Sequence, residues 1–184
     1  MVQDLSYTTQ RFVAEVDAQT YIRDYRRTDH FLQFCRQCSN YGRRYGCPPL
    51  DQETLDAVNQ YRKVRIIGVK IIPNDNTLDL KAATGLMQPV ITDLNRELLA
   101  TEQQLDGISF GFVGTCPYCG AEPCARIEGK PCRHPDKVRP SLEAVGFDIS
   151  QTAHELLGID IKWSQQGRIP EYLTLVGGIF YDKQ

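Results

Sequence analysis

No apolar run in the 184 residues reaches the roughly 18–20 needed to span a bilayer, which argues against a membrane protein. The opening Met1-Val2-Gln3-Asp4-Leu5-Ser6 has no basic region followed by an apolar stretch. No secretory leader is therefore expected, and the chain reads as cytoplasmic. Low-complexity segments and repeats at solenoid spacing are also missing. Neither sign of charge dominates: 21 Lys and Arg stand against 23 Asp and Glu, a net charge of −2. That excludes a bulk polyanion binder and argues against nucleic acid as a partner. There is no Ser/His/Asp triad, no Walker loop and no dinucleotide fingerprint. Gly42 and Gly46 do not form a phosphate-binding loop, and Gly177-Gly178 falls within a strand-like run. What remains is an ordinary globular composition, 41% hydrophobic and 24% charged, whose length suits one domain over residues 1–184.

Cysteine stands out. There are seven, in two groups: Cys35, Cys38 and Cys47, then Cys116, Cys119, Cys124 and Cys132. Clustered cysteines in a cytosolic chain point to metal or redox chemistry rather than to disulfides, and the odd total opposes full pairing.

The scaffold around them predicts an α/β or α+β domain, a single sheet with flanking helices. Strand character runs over 11–16, with Phe12, Ala14 and Val16 on one face, and over 64–72, 108–113 and 172–181. Asp51 is placed to cap a helix through Tyr61, with Leu50 and Leu55 as a hydrophobic staple. Leu86, Val90, Ile91, Leu94, Leu98 and Leu105 follow a 3.6-residue period and predict a long amphipathic helix over 84–105. A short helix is expected from a Ser150 cap to Gly158, and another from about Ala18 to Arg27.

Both cysteine groups are expected in loops, at about 35–49 and 114–140. The second carries Gly114, Pro117, Gly120, Pro123, Gly129, Pro131, Pro135 and Pro140. So long a stretch without periodicity needs something besides apolar burial to order it, and metal ligation supplies that.

Cys116-Pro-Tyr-Cys119-Gly, followed by Cys124 and Cys132, offers four thiolates in 17 residues. Such a set is complete for tetrahedral zinc or a 4Fe-4S cluster. Cys35-Arg-Gln-Cys38, followed by Cys47-Pro48-Pro49, offers three. On a cluster these would leave one iron open, and on zinc one position open; His30 is the nearest imidazole for a fourth ligand. The irregular later spacings and the prolines after Cys47 and Cys116 favour iron–sulfur over a zinc ribbon. His134, two residues after Cys132, reads as a reserve ligand or a surface histidine, and His154 as structural or exposed. Tyr41, Tyr45 and Tyr118 are placed to shield a cluster or simply to pack.

Charge follows the thiolates. Residues 20–47 are net +4 and residues 124–139 net +3, so everything outside sums to −9. Nearby cations stabilise an anionic cluster; a polyanion surface and a plain solvated face are the rival readings.

The pattern Cys35-x2-Cys38-x2-Tyr41-Gly42-x4-Cys47-Pro48-Pro49 resembles the N-terminal signature of a prokaryotic group of predicted metal-binding proteins, domain-of-unknown-function family 2284. The second cysteine group with Arg133-His134-Pro135, and Arg139-Pro140-Ser141-Leu142-Glu143-Ala144 with Gly146-Phe147-Asp148, fit it too. The resemblance implies metal binding through the seven cysteines and no particular reaction. Pro140 and Ser141 can also start a short helical turn that Gly146 ends, facing amides toward an anionic site.

Three functions compete. The leading one is an iron–sulfur protein with one or two 4Fe-4S clusters, in electron transfer or reductive chemistry with a redox partner protein and a small-molecule substrate. The second is a structural zinc protein that binds a partner or nucleic acid. The third is a metal-free thiol redox protein using Cys35/Cys38 or Cys116/Cys119.

Overall fold

A computed structural model describes residues 5–75, 77–111 and 116–182. Among them lies one four-stranded antiparallel sheet with five α-helices, so the fold is α+β rather than α/β. The strands are β1 (Tyr7–Asp17), β2 (Lys63–Pro73), β3 (Ile108–Phe110) and β4 (Leu173–Tyr181), in the order β1-β2-β4-β3. All four expected strands are present. Phe112 and Val113, expected to extend β3, and Met1–Asp4 of the leader reading lie outside the described residues.

The helices are α1 (Ala18–Tyr25), α2 (Thr28–Gln37), α3 (Gln52–Asp56), α4 (Ala83–Leu105) and α5 (Ile149–Leu157). Asp17 caps α1 by accepting from the Thr20 amide at 2.8 Å, and Asp51 caps α3 from Thr54 at 2.7 Å. The helix expected from Asp51 to Tyr61 tightens after one turn into a 3-10 segment, Ala57–Gln60. Asp148, not Ser150, caps α5 through the Gln151 amide at 2.9 Å. It does so because its acceptor sits three residues before an amide freed by the first turn. Gly158, at φ 64°, ends that helix. Among the described residues, no helix is long and apolar enough to cross a membrane.

Because side chains alternate along a strand, β2 feeds two cores. Val64 and Ile66 join Tyr21, Phe147, Phe180 and the apolar faces of α1 and α5 on one side. Ile67, Val69 and Ile71 meet Leu86, Val90, Ile91, Leu94 and Leu98 of α4 on the other. The predicted α4 stripe is this inner face, although Pro89 sits within the helix. Arg11 of β1 adds a paired bond to Glu97 of α4 at 2.7 and 2.5 Å.

The largest departure is α2. The sequence reading placed Cys35 in a loop, whereas it lies on the last turn of this helix and Cys38 is its C-cap. Apolar and polar residues divide by face along α2, but none is buried, so no core fixes its place. Packing places α2 instead. The 3-10 turn Glu143–Val145 ends at Gly146 with φ 97°, as expected for a glycine stop. A Cβ on Gly146 would lie 2.5 Å from Thr28 Cα, at the first residue of α2. Gly146→Ala therefore meets both left-handed strain and a backbone clash. It should lose about 2 kcal/mol or more in urea denaturation; a wild-type midpoint would show that α2 is not held by this contact.

Candidate metal centre

The first cysteine group is a tight descent from α2. The Cys38 amide donates to the Cys35 carbonyl at 3.0 Å, Tyr41 to Cys38 at 3.0 Å, and Cys47 to Arg44 at 3.1 Å. Gly42, at φ 68°, turns the chain so that its amide reaches the Pro48 carbonyl at 2.8 Å. The three thiols come within electrostatic reach of one another. Burial pushes the Cys47 thiol up, Cys38 and Cys35 add to the rise, and Arg44 and Arg126 pull it back. Cys35 is raised first by burial, then by Cys38 and Glu143.

The second group gathers likewise. Burial raises Cys116, the Tyr118 amide hydrogen bond opposes it, and Cys119, Cys132 and Cys124 raise it further. A short 3-10 turn, Ala125–Glu128, follows Cys124 and closes at Gly129 with φ 67°. The His134 amide lies 3.4 Å from the Cys132 sulfur as a donor. Arg133 hydrogen-bonds to Cys119 and lies 3.5 Å from Glu122. All seven cysteines are free thiols. Among the described residues, no three His, Cys, Asp or Glu side chains already surround a point where a metal ion could sit. Cys47 is raised by the thiols of the first group and Cys116 by those of the second.

Arg126 joins the two groups. Its Nη1 donates to the carbonyls of Arg44 and Cys47, both at 2.7 Å, and its Nη2 to that of Pro49 at 2.6 Å. Its guanidinium lies 5.7 Å from the centre of the Tyr45 ring, and the Tyr45 hydroxyl donates to the Lys130 carbonyl. A planar fork with five donors suits a curved row of carbonyls, which a lysine could not match. Sequence reasoning counted Arg126 only as charge.

The second tie is Glu102 of α4. Its carboxylate accepts from Arg139 Nε at 2.9 Å and Nη2 at 2.5 Å, and from the Ser109 amide at 2.7 Å. The Gly111 amide donates to the Pro140 carbonyl at 2.9 Å. These bonds pin the end of the cysteine-rich stretch to α4 and β3. The turn expected after Pro140 is present, and Ser141 Oγ accepts the Ala144 amide at 3.2 Å, so that amide serves the turn itself.

A cavity of about 640 Å³ opens beside these ties. Cys35, Cys38 and Cys47 line it, and so does Cys116 of the second group. The long helix contributes Ile91, Asn95 and Leu98, and Trp163 stands at the wall, 74% exposed. His30 does not line it. Its exposed ring meets Phe31 and Phe34 edge-on at 5.0 and 5.3 Å. His134 packs 6.2 Å from Tyr118, and His154 pairs with Asp160 at 2.8 Å on the surface.

A family model matches residues 21–181, nearly the whole chain. The chain belongs to domain-of-unknown-function family 2284, described as a predicted metal-binding protein. No curated protein and no solved structure matches it.

Two outcomes test the ties. In Arg126→Met, amide hydrogen exchange over residues 41–49 should speed up by at least about tenfold, because three charge-assisted bonds are lost together. Unchanged exchange would mean that the loop holds itself. For Glu102, burial alone raises the carboxyl, but Arg139 and Ser109 bring it below its ordinary value. A lowered carboxylate stabilises the fold above its unfolded value of about 4.3, and that contribution is lost as pH falls through the folded value. Glu102→Gln should cost about 2 kcal/mol at neutral pH, with the gap to wild type narrowing as pH falls below about 4.3. A gap independent of pH would sink this account.

Proposed function

We propose that this chain is an iron–sulfur protein in which Cys116, Cys119, Cys124 and Cys132 hold a closed 4Fe-4S cluster. Cys35, Cys38 and Cys47 hold a second cluster with one iron open to the cavity. The observation that carries this reading is that all three cysteines of the first group and one of the second line the same cavity. A closed site and an open one facing a common space is the arrangement that relays electrons to a bound small molecule. Such clusters supply one-electron transfer at potentials set by charge, hydrogen bonds to sulfur and solvent exposure.

The donor chemistry fits. Seven unpaired soft thiols in two sets suit iron–sulfur or zinc, and three of them are partly desolvated. The surrounding residues divide the remaining work. Arg44 and Arg126 favour the Cys47 thiolate, and Arg133 hydrogen-bonds to Cys119. The His134 and Tyr118 amides donate to sulfur. Most other cations near the cysteines have structural partners: Arg26 donates to carbonyls, Arg139 binds Glu102 and Lys130 pairs with Glu128. Among the described residues that allocation leaves Arg36, Arg43 and Lys137 without such partners, and so small a remainder supports a redox partner protein over a polyanion.

Anaerobically purified protein should carry about eight irons and eight acid-labile sulfides per chain, and Cys47→Ser should retain about half of each. Zinc without sulfide would replace this reading with a structural zinc protein. Loss of both clusters or of neither in Cys47→Ser would overturn the division into two sites.

A further inference from the structure

One edge of the sheet is long and unpaired. At the far edge β3 has three residues, whereas β1 runs for eleven, with no proline, glycine, lysine or bulge. Edge strands are commonly kept short or blunted by such features, because a free row of N–H and C=O groups accepts another strand. The direction of those groups on β1 follows from its ladder with β2. The Asn74 amide donates to the Ser6 carbonyl and the Ala18 amide to the Arg62 carbonyl, continuing the β1–β2 register at both ends. Bonded and non-bonded pairs alternate in an antiparallel ladder, so the even residues of β1 are the ones bonded to β2. Pro73, which has no N–H to give, accordingly stands opposite Tyr7. The odd residues turn their N–H and C=O groups outward. Among the described residues, no backbone partner meets those of Thr9, Arg11, Val13 or Glu15.

The side chains make this edge complementary to itself. Arg11, Val13 and Glu15 share the face on which Arg11 reaches Glu97, and Val13 is 54% exposed there. Consider two copies of β1 related by a two-fold axis at Val13. Val13 then meets Val13, Arg11 of each copy meets Glu15 of the other, and Phe12 meets Ala14 on the opposite face. The outward groups fall into bonded pairs, about six hydrogen bonds over these three positions. A shift of two residues sets Arg11 or Glu15 against Val13 and loses the charge pairing. A shift of four sets Arg11 on Arg11 or Glu15 on Glu15, and like charges directly opposite are destabilising. Within each chain Arg11 binds Glu97, and Glu15 binds Lys63 and Arg65, so the pairing extends into a row of alternating charge.

We propose that the chain forms a two-fold dimer through β1, paired antiparallel with β1 of a second copy and with Val13 on the axis, so that two four-stranded sheets become one. No β1 residue lines the cavity beside the cysteines, so this assignment stands whichever metal they hold.

Sedimentation of the full chain under reducing conditions tests it, since no disulfide between chains then contributes. Wild type at micromolar concentration should show twice the mass of a single chain. Val13→Arg and Val13→Glu each set like charges across the axis and leave the β1–β2 ladder intact. Each variant alone should dimerise at least about tenfold more weakly. An equal mixture of the two should restore the dimer, because unlike charges then meet, and only a register with position 13 on the axis gives that rescue. A monomeric wild type, unchanged affinity in either variant, or a mixture no tighter than its parts would overturn the assignment. Where a variant does not fold, wild type alone decides. Its Arg11, Val13 and Glu15 amides should exchange at least about tenfold more slowly in concentrated than in dilute protein; equal rates would overturn the pairing.

Discussion

The guanidinium of Arg126 does for the cysteine-rich region what apolar burial does for the sheet. Neither cysteine segment brings enough hydrophobic surface to fold against a core: α2 has no buried residue, and Cys38 is exposed. Three carbonyls, of Arg44, Cys47 and Pro49, converge instead on one cation from the other segment. Charge-assisted bonds to backbone carbonyls are stronger than neutral ones, and their direction is fixed by the planar fork. Because the carbonyl of Cys47 is one of the three, the contact that joins the segments also sets the position of a candidate ligand. Arg126 in addition favours the Cys47 thiolate. Structure and electrostatics at the site are thus linked through one side chain.

The sheet and α4 supply the rigid half. Leu98 is buried on the inner face of α4 and also reaches the cavity wall, so the core and the cavity share a side chain. Four residues further on, Glu102 gathers Arg139, Ser109 and thereby the strand before the second cysteine group. A long helix held by a continuous apolar stripe moves little, and groups one turn apart along it keep their separation. The cysteine segments are therefore tied at one end to a stiff element and at the other to each other. This arrangement tolerates the lack of a local core.

How much of this was legible in the sequence follows from the range of each interaction. Strands β2 and β4 and helix α4 are written in local periodicity, and the structure has them within a residue or two. The cap at Asp51 and the stops at Gly146 and Gly158 are also local, whereas the Asp17 cap was not read. Helix α2 was missed because Thr28–Gln37 was read only as the approach to the cysteines, although its residues divide by face; its placement depends on Gly146, more than a hundred residues away. The cysteine groups were legible as groups because Cys-x-x-Cys spacing is itself a local signal. Their sharing of one cavity was not legible, since it requires the Arg126 and Glu102 ties. Arg126 looked like one charge among many; its only hint was its position two residues after Cys124.

The two net-positive windows have a more divided meaning than their totals suggest. Much of that charge is spent on structure: Arg26 donates to the carbonyls of Val145 and Leu55, Arg27 reaches Gln151 and Asp148, and Arg139 closes on Glu102. Among the described residues, Arg44 and Arg126 act on the Cys47 thiol and Arg133 hydrogen-bonds to Cys119. As thiolates, the two sets would outnumber these three cations, and an uncompensated anion in a partly buried site is costly. Cationic metal is the natural remainder of that balance. Burial first, and then the neighbouring thiols, raise Cys47 and Cys116, so holding each set together as thiolates needs a cation among them.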